Sequence, residues 1–298
     1  MTNYYSVFDI GGTSIKHSVM DEAAEVYKTT SHTTPDQGNG DIFHLLIEII
    51  KQDQEQFLIK GVALSVPGAI TPVSGEIHYA GAVTDLIGVN IKTSLNEVGV
   101  PVEAENDANC AALAEKWRGN AIGCQNFITL TIGTGIGGGI FLNGNIHHGV
   151  DGMAGELGLM MLHTSLPLPR LIEEQTFSRL GSTWNLLDRV NKKLEKNLNG
   201  EQIFQLYKDG HEVVQKEVHY FFDVLAIGTA NIVHTFAPEK VLFGGGVSVQ
   251  ENFIPSIKER IELINPHILK MTSIDRCQFG NQSGQVGALY HFLRSRGE

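Results

Sequence analysis

The sequence predicts an α/β protein built from two related lobes, and three observations carry that prediction. Strand-like and helix-like segments alternate along the chain, as in α/β architectures. A plan of strand, glycine-threonine turn and strand opens the chain and recurs at Asn126 to Leu142. A third glycine turn, Gly244-Gly245-Gly246, again follows an apolar strand. At 298 residues the chain is long enough for one large or two medium cores.

Tyr5 to Ile10 and Ser14 to Met20 read as strands around the first turn. Asp41 to Phe57 reads as a helix because Ile42, Leu45, Leu46, Ile49 and Ile50 recur at helical spacing. Gly61 to Val66 returns as a buried strand ended by Pro67-Gly68. Val102 to Glu105 is a short strand running into Asn106, whose side chain can cap a helix from Asp107 to Trp117. Residues 133 to 138 spell G-T-G-I-G-G, but the apolar Ile140-Phe141-Leu142 run favours a hairpin over the strand-to-helix turn of a dinucleotide site. Helical patterns follow at Leu186 to Asn197 and Val213 to His234, then a strand at Lys240 to Phe243. The chain closes on a helix from Gly284 with Val286, Leu289, Tyr290 and Leu293 on one side. The lobes divide into residues 1–118 and 119–283, with the last helix, 284–298, completing the first.

Composition narrows the function classes. The net charge is -11 and the basic residues are scattered, which disfavours nucleic acid as a partner. Three widely spaced cysteines, Cys110, Cys124 and Cys277, argue against a disulfide framework and for a reducing compartment. The first residues lack the pattern of a secretory leader, and no apolar stretch reaches membrane-spanning length. The expected location is cytoplasmic, without a membrane partner.

Glycine in the three turns lets backbone N–H groups converge on phosphate oxygens, with threonine hydroxyls as further donors. Any one such turn reads more readily as a hairpin or bulge; two alike and a third reverse that balance. None has the Walker pattern. Asp9 precedes the first turn, where a carboxylate could hold Mg²⁺ directly or through water, or merely cap the turn. Asp107 stands at a strand-to-helix junction suited to general-base work on a bound hydroxyl; helix capping, its plainer role, can already come from Asn106. Glu156 lies among small and apolar neighbours and suits a sugar hydroxyl as well as a structural bond. Glu173-Glu174 follows a proline-containing stretch, and Glu174 reads as solvated surface. His147-His148 resembles a metal pair, but adjacent side chains on a strand point apart.

Taken together, FDIGGTSIK at 8–16, SVPGAI at 65–70, ENDANCAALAE at 105–115, LTIGTGIGGGIF at 130–141, AGELG at 154–158, PEKVLFGGGVS at 238–248 and GNQSGQVGA at 280–288 strongly resemble the ROK family of bacterial sugar kinases and regulators. The resemblance runs nearly end to end. It implies the actin-like ATPase fold, two ribonuclease-H-like lobes with ATP and sugar meeting in the cleft between them. It places the catalytic base on Asp107, and sugar contacts on Gly68, Asn106, Asp107, Glu156 and Glu173. Asp9, Gly11, Gly12, Thr13, Gly133, Thr134 and Gly135 would face the phosphates, with Mg²⁺ at Asp9, and Gly244, Gly245 and Gly246 the adenosine. A homodimer is the assembly common in the family.

Two departures from the family pattern are visible. Leu159 occupies the place of a family histidine that touches the sugar, and no cysteine lies between Cys124 and Cys277 to supply the family's structural zinc cluster. Gly81-Ala82-Val83 replaces a Pro-Asn-Leu of many members. This zinc-less form looks most like bacterial β-glucoside kinases, which phosphorylate cellobiose and related glucosides at the 6-hydroxyl. The runner-up acceptors are N-acetylmannosamine and glucose. A DNA-binding repressor would carry a helix-turn-helix ahead of the DIGGT strand, which only a few residues precede. A sensor that has lost catalysis is disfavoured by Asp107 and the three turns.

Overall fold

The computed structural model describes residues 2–162 and 172–297, and the chain divides into two compact units. The first comprises the chain up to Ile122, Ile146–Ala154, and the chain from Asn281 onward. Its five-stranded sheet runs β3 (Val26–Thr33), β2 (Ser14–Asp21), β1 (Tyr4–Ile10), β4 (Ile59–Val66), β7 (Val102–Asn106). The three strands β1, β2 and β3 form an antiparallel meander, whereas β1, β4 and β7 are parallel. A parallel pair needs a crossover, and helix α1 (Asp41–Gln56) supplies it between β3 and β4.

Alternation along β1 sorts the core into two layers. Phe8 and Ile10 join Ile42, Leu46, Ile49 and Ile50 of α1, while Tyr5 and Val7 join Cys110, Leu289 and Phe292 on the other side. Those last residues come from α3 (Asp107–Arg118) and α10 (Ser283–Arg296). The two helices touch at backbone level: a β-carbon on Gly287 would lie 1.8 Å from the Cys110 carbonyl oxygen. Only glycine fits there. The final helix is therefore buried over more than one stripe, and Tyr290 is half-buried, stacked on Trp117 at 5.1 Å. Strand β3 escapes the sequence reading because it is a mostly polar edge strand with few buried side chains. The unit also holds the hairpin β5 (Ala69–Thr71) and β6 (Glu76–Tyr79) and the short helix α2 (Ile91–Ser94).

The second unit comprises Gly123–Asn145 and Gly155–Gly280. Its sheet repeats the plan of the first, in the order β10 (Asn145–Ile146), β9 (Ile136–Leu142), β8 (Phe127–Ile132), β11 (Lys240–Gly244), β12 (Ser273–Arg276). Strands β8 and β9 form the hairpin expected from sequence, and β8, β11 and β12 are parallel. One crossover carries α4 (Phe177–Gly181), α5 (Thr183–Leu194), α6 (Gly200–Lys208) and α7 (Glu212–Phe236); the next carries α8 (Phe253–Ile264) and α9 (Ile268–Met271). Phe221, Phe222, Phe243 and Phe253 pack edge to face or tilted at its centre. The duplicated strand order is that of the actin-like ATPase fold.

A buried polar cluster ties α1 to the first sheet. Asp53 accepts from Lys28 Nζ at 2.8 Å and from the Ser6 hydroxyl, and its Oδ2 lies 2.8 Å from His17 Nε2. Burial would raise the Asp53 carboxyl, but the bonds from His17, Lys28 and Ser6 outweigh it and hold the group below its usual range. Such a group stabilises the fold above its unfolded pKa, and the benefit is lost as pH falls through the lower folded value. Asp53→Ala should cost about 3 kcal/mol in urea unfolding at neutral pH, because partners stay buried without it. The gap to wild type should close below about pH 4; a gap constant down to pH 2 would show that the charge is irrelevant.

Candidate active-site groups

In the first unit the expected residues collect at one edge of the sheet because three strands run the same way. Asp9 pairs with Ser65, and Ser65 with Glu105, so β1, β4 and β7 end together. Carboxyl ends of parallel strands are where α/β sheets offer open backbone and side chains to ligands. Asp9 accepts from Ser65 Oγ at 2.8 Å and from Lys16 Nζ at 3.0 Å, and Gly284, in the first turn of α10, abuts its carboxylate. The turn after it is braced: Gly11 N–H donates to Ser14 O at 3.0 Å and Thr34 Oγ1 to Gly11 O at 2.6 Å. Gly12 and Thr13 are exposed.

The Asn106-Asp107 turn is the most heavily bonded part of that edge. Asn106 Oδ1 accepts from the Asn109 N–H at 3.0 Å, the cap anticipated from sequence. Its Nδ2 donates to Gly68 O at 2.7 Å and to Asp107 Oδ1 at 3.0 Å, and Ala108 N–H donates to the same Oδ1 at 2.8 Å. Asp107 is exposed, at the N-terminus of α3, with its carboxylate oriented by two donors. Gly68 has φ of 87° and no room for a β-carbon, which would lie 2.0 Å from Tyr79 O. Its carbonyl is thereby fixed for Asn106.

Behind the turn lies Glu105, a carboxylate that sequence reasoning passes over. Its Oε1 accepts from Asn106 N–H at 2.7 Å and Asn109 Nδ2 at 3.0 Å; its Oε2 lies 2.7 Å from His148 Nε2 and 3.6 Å from His291 Nδ1. Burial would push Glu105 up, but the His148 hydrogen bond and the charges of His291 and His148 bring it below the usual carboxylate range. Burial would lower the His148 imidazole, but the hydrogen bond and charge of Glu105 outweigh it and raise the group above its usual value. Cys110 reports how close the acids stand, since burial and then the charges of Glu105, Asp9 and Asp107 push its thiol well up. The legible clue was Glu103 and Glu105, two residues apart on one face of a strand: charges repeating at that spacing inside a core need partners. His147 and His148 lie past the end of β10, so strand alternation does not apply to them.

In the second unit, two glycine turns come together at the matching sheet edge. Gly133 N–H donates to Gly135 O at 2.9 Å, leaving Gly133, Thr134 and Gly135 exposed at the tip of the β8-β9 hairpin. Gly245 has φ of 91°, and a β-carbon there would sit 2.1 Å from Ile132 O, so the third turn presses on the strand leading to the second. Gly133, Thr134 and Gly246 line one cavity of about 550 Å³, completed by Val247, Trp184 and Phe204 among others. That volume is in the range of small-molecule sites. Gly244 is buried beside Cys277. Trp184 and Phe204 carry no recognisable motif, and only the packing of α5 and α6 reveals them.

Glu156 is half-buried in the turn before Leu157, which packs on Gly138 of β9, and burial raises the Glu156 pKa. Glu173 is exposed on the short turn Ile172–Gln175. Leu159 is 60% exposed. Most of the stretch expected to differ from the family's zinc segment, residues 163–171, lies outside the described residues. Among the described residues no helix is long and apolar enough to cross a membrane.

Asn106→Ala removes both the α3 cap and the hold on Gly68. It should lower stability by about 1 kcal/mol in chemical unfolding, with a larger loss pointing to the Gly68 bond.

A β-glucoside kinase of Listeria monocytogenes is 35% identical over 293 residues, covering 97% of each chain. Among solved structures, one from Listeria monocytogenes, whose assignment as an N-acetylmannosamine kinase is provisional, superposes with a TM-score of 0.89 at 33% identity over 99% of this chain and 100% of the other. A ROK family protein of Streptococcus pneumoniae in complex with sucrose gives a TM-score of 0.87 at 29% identity, covering 99% of both chains. The ROK family model matches residues 5–295, and the chain belongs to the ROK family.

Proposed function

We propose that this carbohydrate kinase transfers the γ-phosphoryl group of ATP to the 6-hydroxyl of a β-glucoside such as cellobiose. The observation that carries the reading is the Asn106-Asp107 turn: an exposed carboxylate, oriented by Ala108 N–H and Asn106 Nδ2, at the carboxyl edge of a parallel sheet. Asp107 takes the proton of the sugar hydroxyl as its oxygen attacks the γ-phosphorus; the bond to the bridging oxygen breaks and ADP leaves. Asn106, Gly68, Glu156 and Glu173 serve the sugar. Burial that raises Glu156 suits a carboxyl exchanging hydrogen bonds with hydroxyls.

The exposed Gly12-Thr13 and Gly133-Thr134-Gly135 turns supply N–H and hydroxyl donors to the phosphates, and the cavity beside Gly246 takes the adenosine, with Trp184 and Phe204 as apolar walls. A Mg²⁺ ion fits the donor set at Asp9, one carboxylate that phosphate oxygens and water can complete, and when bound it neutralises charge on the phosphates. Lys16 already partners that carboxylate.

Leu159 supports a glucoside acceptor. An exposed apolar side chain where many family members have a histidine discriminates less against a substituted anomeric oxygen. The N-acetylmannosamine reading draws on the structural relative with that assignment.

Purified protein with Mg-ATP should turn over cellobiose and an aryl β-glucoside with higher kcat/KM than glucose or N-acetylmannosamine. Faster turnover of either monosaccharide removes the glucoside assignment. Asp107→Asn should lower kcat by about 10²–10⁴-fold while calorimetric sugar binding persists; full activity in that variant would exclude Asp107 as the base.

A further inference from the structure

His148, Glu105 and His291 form a cluster behind the catalytic turn that makes no contact assigned to phosphoryl transfer. His148 reaches it on a braced loop. Its carbonyl accepts from Ala154 N–H at 2.9 Å, and Gly152, within that loop, seats so closely on β5 that a β-carbon would lie 2.0 Å from Ile70 O. From that anchor the His148 ring closes on Glu105 Oε2 at 2.7 Å, with its side chain one-third exposed and Glu105 1% exposed. The other oxygen of Glu105 holds the backbone N–H of Asn106 and the side chain of Asn109.

The rest of the cluster cannot replace this bond. His291 Nδ1 stands 3.6 Å from Glu105 Oε2, beyond hydrogen-bonding distance, and its Nε2 is buried without a partner. Lys92 and Arg296 are engaged by Glu103, at 2.6 and 2.9 Å. Cys110, Asp9 and Asp107 add no cation. Without His148, one oxygen of a buried carboxylate loses its close donor, and the side chain must shift toward another, taking the Asn106 N–H with it.

We propose that His148 is a positioning residue that, through Glu105, holds the Asn106-Asp107 turn in the conformation that presents its side chains to the acceptor sugar. The inference rests on Asp107 acting as the base, but its structural half does not.

Two measurements test it. In His148→Ala, the Asn106 amide should exchange with solvent about tenfold faster than in wild type. In the same variant kcat/KM for the sugar should fall about ten- to a hundredfold, as displaced catalytic groups do, with KM for ATP unchanged. His148→Gln, whose Nε2 can restore the donor, should recover both. If His148→Ala does not fold, His148→Phe is compared with His148→Gln by the same criteria. Wild-type Asn106 exchange in the variant, equal losses in both KM values, or a folded His148→Gln as impaired as His148→Ala would each overturn the proposal. A wild-type protein that phosphorylates no sugar refutes the kinase reading alone, and the exchange experiment still decides the role of His148.

Discussion

A carboxylate can be buried only if its oxygens are met by donors, and at Glu105 that requirement shapes the strand end that carries Asn106 and Asp107. One oxygen is satisfied locally, by the backbone of the next residue and the amide of Asn109 in the first turn of α3. The other is satisfied by His148, 43 residues farther along the chain. Between those bonds the Asn106-Asp107 turn has little freedom. The same turn starts the helix, because Asn106 caps α3 while its amide nitrogen reaches Gly68. Preorganisation of this kind is what positioning catalysis requires, since phosphoryl transfer asks few other reactive groups of the protein.

The two sheets place their glycine turns by one topological rule. In each, an antiparallel hairpin supplies a glycine turn and parallel strands added beside it end at the same edge. In the first unit this aligns Asp9, Ser65 and Glu105 in a row across three strands. In the second it brings the Gly133 and Gly245 turns against one cavity. The second unit differs by a longer crossover, whose helices provide Trp184 and Phe204. Duplication thus yields two edges with similar backbone and different side chains, one acidic and polar, the other apolar and glycine-lined.

Leu159 and the Gly81-Ala82-Val83 segment stand where the family resemblance has polar residues. A pocket that loses a hydrogen-bonding partner for one hydroxyl discriminates less against an acceptor in which that oxygen is substituted.

Residue order by itself determined whatever is settled within a few residues of chain. The α1 helix follows from the spacing of its isoleucines and leucines, the β8-β9 hairpin from its glycine tip and apolar flanks, and the α3 cap from Asn106 beside an alanine-rich helix. The placement of the glycine turns and of Asp107 at strand ends was equally legible, since local sequence pattern sets it. Polar β3, the partners that meet Glu105, and the cavity walls contributed by Trp184 and Phe204 were not. Each depends on partners distant in sequence, and a buried charge reads in isolation like a solvated one. Only tertiary structure decides which donor reaches Glu105, because a hydrogen bond requires proximity in space and no local pattern encodes the loop that brings His148 there.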